Sequence, residues 1–226
     1  MSEKEIVKVL NLYCGIGGNR KLWPDHYKVT AVEYIPEIAR AYADQFPDDE
    51  VIVGDAQEYL LKHFHEFDII WASPPCPTHS KARRASIHSR NIPKVPDLNQ
   101  LYGQIIFLKE FAPDDLLWIY ENVEPYYPPL IKPTKRLGRH LFWANFEISD
   151  YESRTKYPKP MPDMKLKDFE KMWNISLDDY KFERKDRIFR NCVEPELGKH
   201  ILEEAEATRQ GRSSKIVRKD LDEWFA

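Results

Sequence analysis

Several things this chain has little of narrow its possible functions. It has only 3 cysteines in 226 residues, at positions 14, 76 and 192. They fall in no metal-ligand spacing and cannot all pair, which excludes a disulfide scaffold and points to a reducing, cytoplasmic compartment. Neither sign of charge dominates: 34 Lys and Arg face 37 Asp and Glu, a formal net charge of -3. The composition therefore does not announce a nucleic-acid binder, and any such surface has to be a local basic patch. No apolar run approaches the length that spans a bilayer, and no stretch has the pattern of a secretory signal. Internal repeats and low-complexity tracts are absent as well. With 42% hydrophobic residues, 6 of them Trp, the chain can bury one sizeable core, so one main domain is expected.

The strongest local signal is Asp68-Ile69-Ile70-Trp71-Ala72-Ser73-Pro74-Pro75-Cys76. Residues 69–73 predict a buried strand, and the prolines, which cannot donate to a ladder, stop it. Cys76 is thereby presented at a strand's carboxyl end, the rim where ligands and reacting groups collect in open α/β sheets. Taken alone, it could equally be a small buried hydrophobe.

Upstream, residues 6–12 predict the first central strand of a parallel sheet. It runs into Tyr13-Cys14-Gly15-Ile16-Gly17-Gly18, where glycine permits positive φ and a following helix start is expected to supply free N–H groups. Residues 27–32 predict a second strand ending in Glu33-Tyr34, before a helix that Pro36 opens. An acid about 20 residues beyond a glycine turn is where doubly wound folds grip a ribose hydroxyl pair; a solvated strand-end glutamate is the alternative. Residues 51–56 predict a third strand tipped by Asp55, suited to accept from an exocyclic amine, to cap the helix beginning near Ala56, or both. Three βα units and the Pro-Pro-Cys strand make a Rossmann-like half. Residues 116–120 then predict a buried strand with Glu121 at its carboxyl end, on the same rim as Cys76.

In this order the motifs resemble those of DNA cytosine-5 methyltransferases. Residues 13–18 resemble the family's first motif, where S-adenosylmethionine sits, and Pro74-Pro75-Cys76 with Ser80 resembles its catalytic loop. Glu121-Asn122-Val123 is a further match. Arg190-Asn191-Cys192-Val193-Glu194-Pro195-Glu196-Leu197 resembles the closing Asn-x-Val-x-Pro turn and helix. The resemblance implies an α/β, Rossmann-like doubly wound methyltransferase sheet with a very small recognition insertion, as in a virus- or prokaryote-like member. It implies methyl transfer from S-adenosylmethionine, leaving S-adenosylhomocysteine, to carbon 5 of cytosine in double-stranded DNA. Cys76 would be the nucleophile and Glu121 would assist at ring nitrogen 3. The cofactor would lie against Tyr13, Gly15, Gly17, Glu33, Tyr34, Asp55, Ala56, Pro75, Asn191 and Val193. Ile35 stands where family members carry Asp or Asn. The family's Gln-x-Arg-x-Arg pattern is missing from residues 133–140, and of Arg136 and Arg139 we assign Arg139 to the flipped base.

The chemistry of the residues agrees. Carbon 5 of cytosine is a poor nucleophile, so a thiolate must first add to carbon 6. A free thiol's pKa of about 8.5 leaves little thiolate at neutral pH without nearby positive charge or helix N–H groups. Lys81, Arg83, Arg84, Arg90 and Lys94 follow the thiol and are the candidate charges. With Ser80 and Arg136 they are also expected to meet DNA phosphates; a solvated basic loop is the bland alternative.

The expected division is a cofactor-binding and catalytic domain over residues 1–146, a reduced target-recognition region over 147–187, and a closing motif with a helical tail over 188–226. About 40 residues are too few for an independent core. Target recognition is therefore expected to be short, to rest on backbone contacts, or to come from a homodimer or partner subunit. The catalytic residues fit cytosine in RNA equally well. A silent DNA-binding subunit is a further alternative, against which Cys76 and Glu121 count. No membrane or metal is expected, and a restriction–modification pair, a virus and a solitary host system all remain compatible.

Overall fold

The computed structural model describes residues 5–81, 95–153, 158 and 163–214. Its strands are β1 (Val7–Leu12), β2 (Tyr27–Glu33), β3 (Glu50–Val53), β4 (Ile69–Ala72), β5 (Leu117–Val123), β6 (Lys135–Leu137) and β7 (His140–Ala144). They join in one seven-stranded sheet ordered β3-β2-β1-β4-β5-β7-β6, in which β7 alone runs against the rest. The fold class is therefore the expected α/β sheet. Among the described residues no helix is long and apolar enough to cross a membrane.

The central strands are mainly apolar, and β4 wholly so, because both faces are covered. Side chains alternate between them: Val7, Val9, Ile69, Trp71, Leu117 and Ile119 enter one core, and Leu10, Leu12, Ile70, Ala72, Trp118 and Tyr120 the other. The first core is closed by helix α6 (Pro195–Arg209) through Leu197, Ile201, Leu202 and Ala205. The second is closed by α2 (Ala56–His63) through Leu60 and by α3 (Gln104–Phe111) through Ile105 and Leu108. The remaining α-helices among the described residues are α1 (Pro36–Gln45), α4 (Leu166–Trp173) and α5 (Lys185–Asn191). Pro36 opens α1 at its first turn, as its fixed φ suits.

One expectation is corrected here. No helix follows the glycine turn, and residues 13–26 run as consecutive turns from β1 to β2. Positive φ at Tyr13, Gly15 and Gly17 breaks the backbone repeat that a helix needs. The segment is held by side chains instead. Arg20 forks onto Asp49 at 2.9 and 3.0 Å, Asn19 Nδ2 donates to Asn11 Oδ1 on β1 at 2.9 Å, and Trp23 Nε1 donates to the Gly198 carbonyl at 3.2 Å.

The turn segment packs so closely on α6 that a Cβ at Gly198 would lie 2.4 Å from the backbone oxygen of Asn19. Backbone cannot yield as a flexible side chain can. Gly198→Ala is therefore expected to lower stability by about 1–3 kcal/mol, read from the urea midpoint. An unchanged midpoint would show that this contact is not tight.

Within residues 147–187, Phe169 and Trp173 of α4 are buried with Ile16, Ala41 and Phe189. The Tyr180 hydroxyl donates to Asp44 at 2.7 Å. Phe169 and Trp173 thus pack against α1, α5 and the glycine turn, while Ile148 and Tyr151 join the first core. Of the residues considered earlier, Arg83, Arg84, Arg90 and Lys94 lie outside the described residues.

Candidate active site

The carboxyl ends of β1, β2, β4 and β5 open onto a cavity of about 520 Å³. It is lined by Cys76, Glu121 and Arg139 together with Tyr13, Gly15, Glu33, Tyr34, Asp55, Ala56, Pro75, Asn191 and Val193. Gly17 is not among the lining residues. A Cβ there would meet the Phe46 ring at 2.3 Å, so this glycine serves packing of the turn onto α1.

Cys76 begins a short 3₁₀ turn, residues 76–78, directly after the two prolines. The loop is pinned on both sides. Asn122 Nδ2 donates to the Pro74 carbonyl at 3.0 Å, and the Ser80 backbone pairs with Pro125. Glu121 follows the last β4–β5 pair, Ala72 with Tyr120. The strand that carries it runs on to Val123 because β7 pairs with residues 119–123. Local sequence alone ended that strand at 120.

Glu121 is 5% exposed, and its Oε1 lies 2.6 Å from His140 Nδ1. Opposite Glu121 stands Phe142, and His140 is two residues from Phe142, hence a diagonal neighbour on the same face. Arg139 Nε donates to His140 Nε2 at 3.2 Å, and its Nη2 donates to the Arg190 carbonyl at 2.8 Å. His140 and Asn122 were not among the expected site residues. Asn122 was legible as the middle of Glu-Asn-Val; His140 carried no local signal, since its partner lies 19 residues away across a strand pair.

The cofactor side is built on strand tips. Glu33 accepts the Gly15 and Ile35 N–H groups at 3.1 and 3.0 Å, one on each oxygen. Burial pushes its pKa up against these bonds. Asp55 Oδ1 caps α2 by accepting from the Gln57 and Glu58 N–H groups at 2.8 and 2.9 Å, while the residue also lines the cavity. Tyr13 sits at φ 56, strained for a non-glycine residue. It is held there by Gln104, which donates to its hydroxyl at 2.7 Å and accepts from Tyr120 at 2.9 Å.

The basic candidates separate. Arg139 lines the cavity, whereas Arg136 and Lys81 do not; both reach Glu124, at 3.4 and 2.8 Å. Ser80 also lies outside the lining. Among the described residues, the positive charges that act on the Cys76 thiol are Arg139 and Arg187.

Residues 7–126, just over half of the chain, match the family described as C-5 cytosine-specific DNA methylase. The chain belongs to that family. Among solved structures, methyltransferase EhMeth of Entamoeba histolytica is similar over 91% of this chain and 99% of its own, with 12% identity and a TM-score of 0.57. That likeness shows the fold. A DNMT2 mutant of Spodoptera frugiperda is 25% identical over 52% of this chain and 35% of its own, with a TM-score of 0.36. The chain thus spans about a third of the length of that protein. A putative DNA modification methyltransferase encoded within an E. coli prophage is 22% identical over 53% of this chain and 32% of its own, with a TM-score of 0.32. No curated protein matches.

Family membership implies S-adenosylmethionine as methyl donor, and the cavity suits such a group. Its volume lies within the range of about 300–1,000 Å³ typical of ligand sites. A Cβ at Gly15 would meet nothing within 4 Å, so the turn leaves open space. A carboxylate offers about four lone-pair sites, and Glu33 is engaged by the backbone N–H groups of Gly15, Tyr34 and Ile35, leaving about one for a hydroxyl.

Burial, and next the charge of Glu121, push the Cys76 thiol up from its ordinary value, outweighing Arg139 and Arg187. These contributions hold Cys76 toward its protonated, thiol form. Burial also pushes Cys192 up to about 12 and Cys14 well up. Iodoacetamide is expected to label Cys76 first among the three, at a rate that climbs with pH through about 8.5 and beyond. Glu121→Gln removes a negative charge, lowers the thiol pKa and should speed labelling several-fold at pH 7.5. Arg139→Gln should slow it. Mass spectrometry of tryptic peptides reads both, and the opposite order of the two variants would refute the assignment of charges.

Proposed function

We propose that the protein transfers a methyl group from S-adenosylmethionine to carbon 5 of cytosine in DNA. What carries this reading is the convergence of Cys76 and Glu121, from adjacent strands, on the cavity that also holds Gly15, Glu33 and Asp55. Cys76 gives up its proton to solvent and its sulfur bonds to carbon 6. The displaced electron pair moves through the ring toward nitrogen 3, where Glu121 hydrogen-bonds or protonates it. Carbon 5 thereby becomes nucleophilic. S-adenosylmethionine supplies an electrophilic methyl group on a sulfonium. Loss of the carbon 5 proton to a base expels the sulfur, any proton lent to nitrogen 3 returns to Glu121, and the thiolate takes up a proton to restore Cys76. Because the thiol cannot reach carbon 6 inside a stacked duplex, the base is rotated out, at a cost of about a few kcal/mol.

In this reading Glu33 holds a ribose hydroxyl and Asp55 an adenine amine, with Tyr34, Ala56, Asn191 and Val193 around them. Arg139 braces the flipped base. Ser80, Lys81, Arg83, Arg84 and Arg136 meet phosphates, Lys81 and Arg136 exchanging Glu124 for them. Residues 147–187 act as a reduced recognition region. Phe169 and Trp173 are committed to packing with Ile16, Ala41 and Phe189, which supports contact with DNA through polar residues. Short or partner-assisted target recognition follows.

The test is transfer of labelled methyl to duplex DNA, with transfer RNA as competitor and 5-methylcytosine in the product as readout. Incorporation into DNA that transfer RNA does not suppress is expected. Incorporation into RNA alone, or into neither, would overturn the reading.

A further inference from the structure

We propose that His140 is a positioning residue for the reaction: its Nδ1–H holds the Glu121 carboxyl toward the cavity, and Arg139 fixes the imidazole in the tautomer that can do so. This rests on the methyl-transfer reading above. Three observations carry it. His140 Nδ1 lies 2.6 Å from Glu121 Oε1. Arg139 Nε lies 3.2 Å from His140 Nε2. All three residues line the cavity that holds Cys76.

An arginine N–H can only donate, so Nε2 must keep its lone pair, and the neutral ring then carries its proton on Nδ1. That proton points at Glu121. The ring is 6% exposed, so water does not compete well for either nitrogen. With Oε1 occupied by His140, Oε2 is the oxygen of Glu121 left to carry a proton or to face the pyrimidine. A carboxyl free to rotate would lose this preference. Arg139 is itself anchored by the Arg190 carbonyl at 2.8 Å, so the row Arg139–His140–Glu121 is fixed at its outer end by the segment that closes the cavity.

The test compares two variants of one branched shape. His140→Asn keeps an N–H at the Nδ1 position, and His140→Leu does not. His140→Leu is expected to lower kcat for methyl transfer about 10- to 100-fold, the range of a hydrogen bond to a charged group. KM for S-adenosylmethionine should stay within about twofold. His140→Asn should recover to within about fivefold of the parent. In a Glu121→Gln background, His140→Leu should cost no more than about twofold further, because His140 acts through Glu121. Equal rates for Asn and Leu, or a full Leu loss in the Glu121→Gln background, would overturn the proposal. Should His140→Leu not fold, His140→Phe takes its place as the variant without an N–H, and the same comparison with His140→Asn decides. Active parent enzyme with indifferent His140 variants sinks this inference alone, whereas an inactive parent sinks the methyl-transfer reading as well.

Discussion

Cys76→Ala is expected to abolish methyl transfer, by at least about 10⁴-fold, the scale on which loss of a covalent nucleophile is felt. The same change should abolish a denaturation-resistant adduct with DNA containing 5-fluorocytosine. Fluorine at carbon 5 cannot leave as the proton does, so the parent protein stays joined through its sulfur. Affinity for S-adenosylmethionine should hold, because Cys76 sits at the β4 end of the cavity while Gly15, Glu33 and Asp55 stand at β1, β2 and β3. Gel electrophoresis under denaturing conditions reads the adduct. Tight DNA binding by a parent that forms no adduct would instead favour a silent binding subunit.

Glu121→Gln is expected to lower kcat by about 10²–10⁴-fold, the usual contribution of a positioned acid or base. Glutamine keeps the shape and can still accept from His140, so the fold and the KM values should change little. What it loses is the carboxylate, the group that can take up a proton and pass it to nitrogen 3. The thiol labelling described above moves the other way in this variant, because removing the Glu121 charge lowers the Cys76 pKa. A more reactive thiol with a slower enzyme separates activation of the ring from activation of the sulfur. If methyl transfer rose along with labelling, Glu121 would be acting only as an electrostatic brake on Cys76.

Much of this was legible in the residues themselves. Apolar runs at 7–12 and 69–72, stopped by a glycine turn and by two prolines, have one reading as covered parallel strands, because a period of two and a missing donor are local properties. Asp55 before Ala56 and Pro36 at the head of α1 announced their helices in the same way. The order of the motifs placed Cys76 and Glu121 on one rim.

Tertiary structure decided the rest. The glycine turn leads to no helix, since Arg20, Asn19 and Trp23 bind it to residues far along the chain. Gly17 makes room for the Phe46 ring. Arg139 rather than Arg136 reaches the cavity because the β6–β7 hairpin sets which side each faces, and Glu124 takes the other. His140 meets Glu121 only because β7 pairs antiparallel with β5 in one register. Register and the choice of face depend on contacts between segments distant in sequence, and no local pattern of residues encodes them.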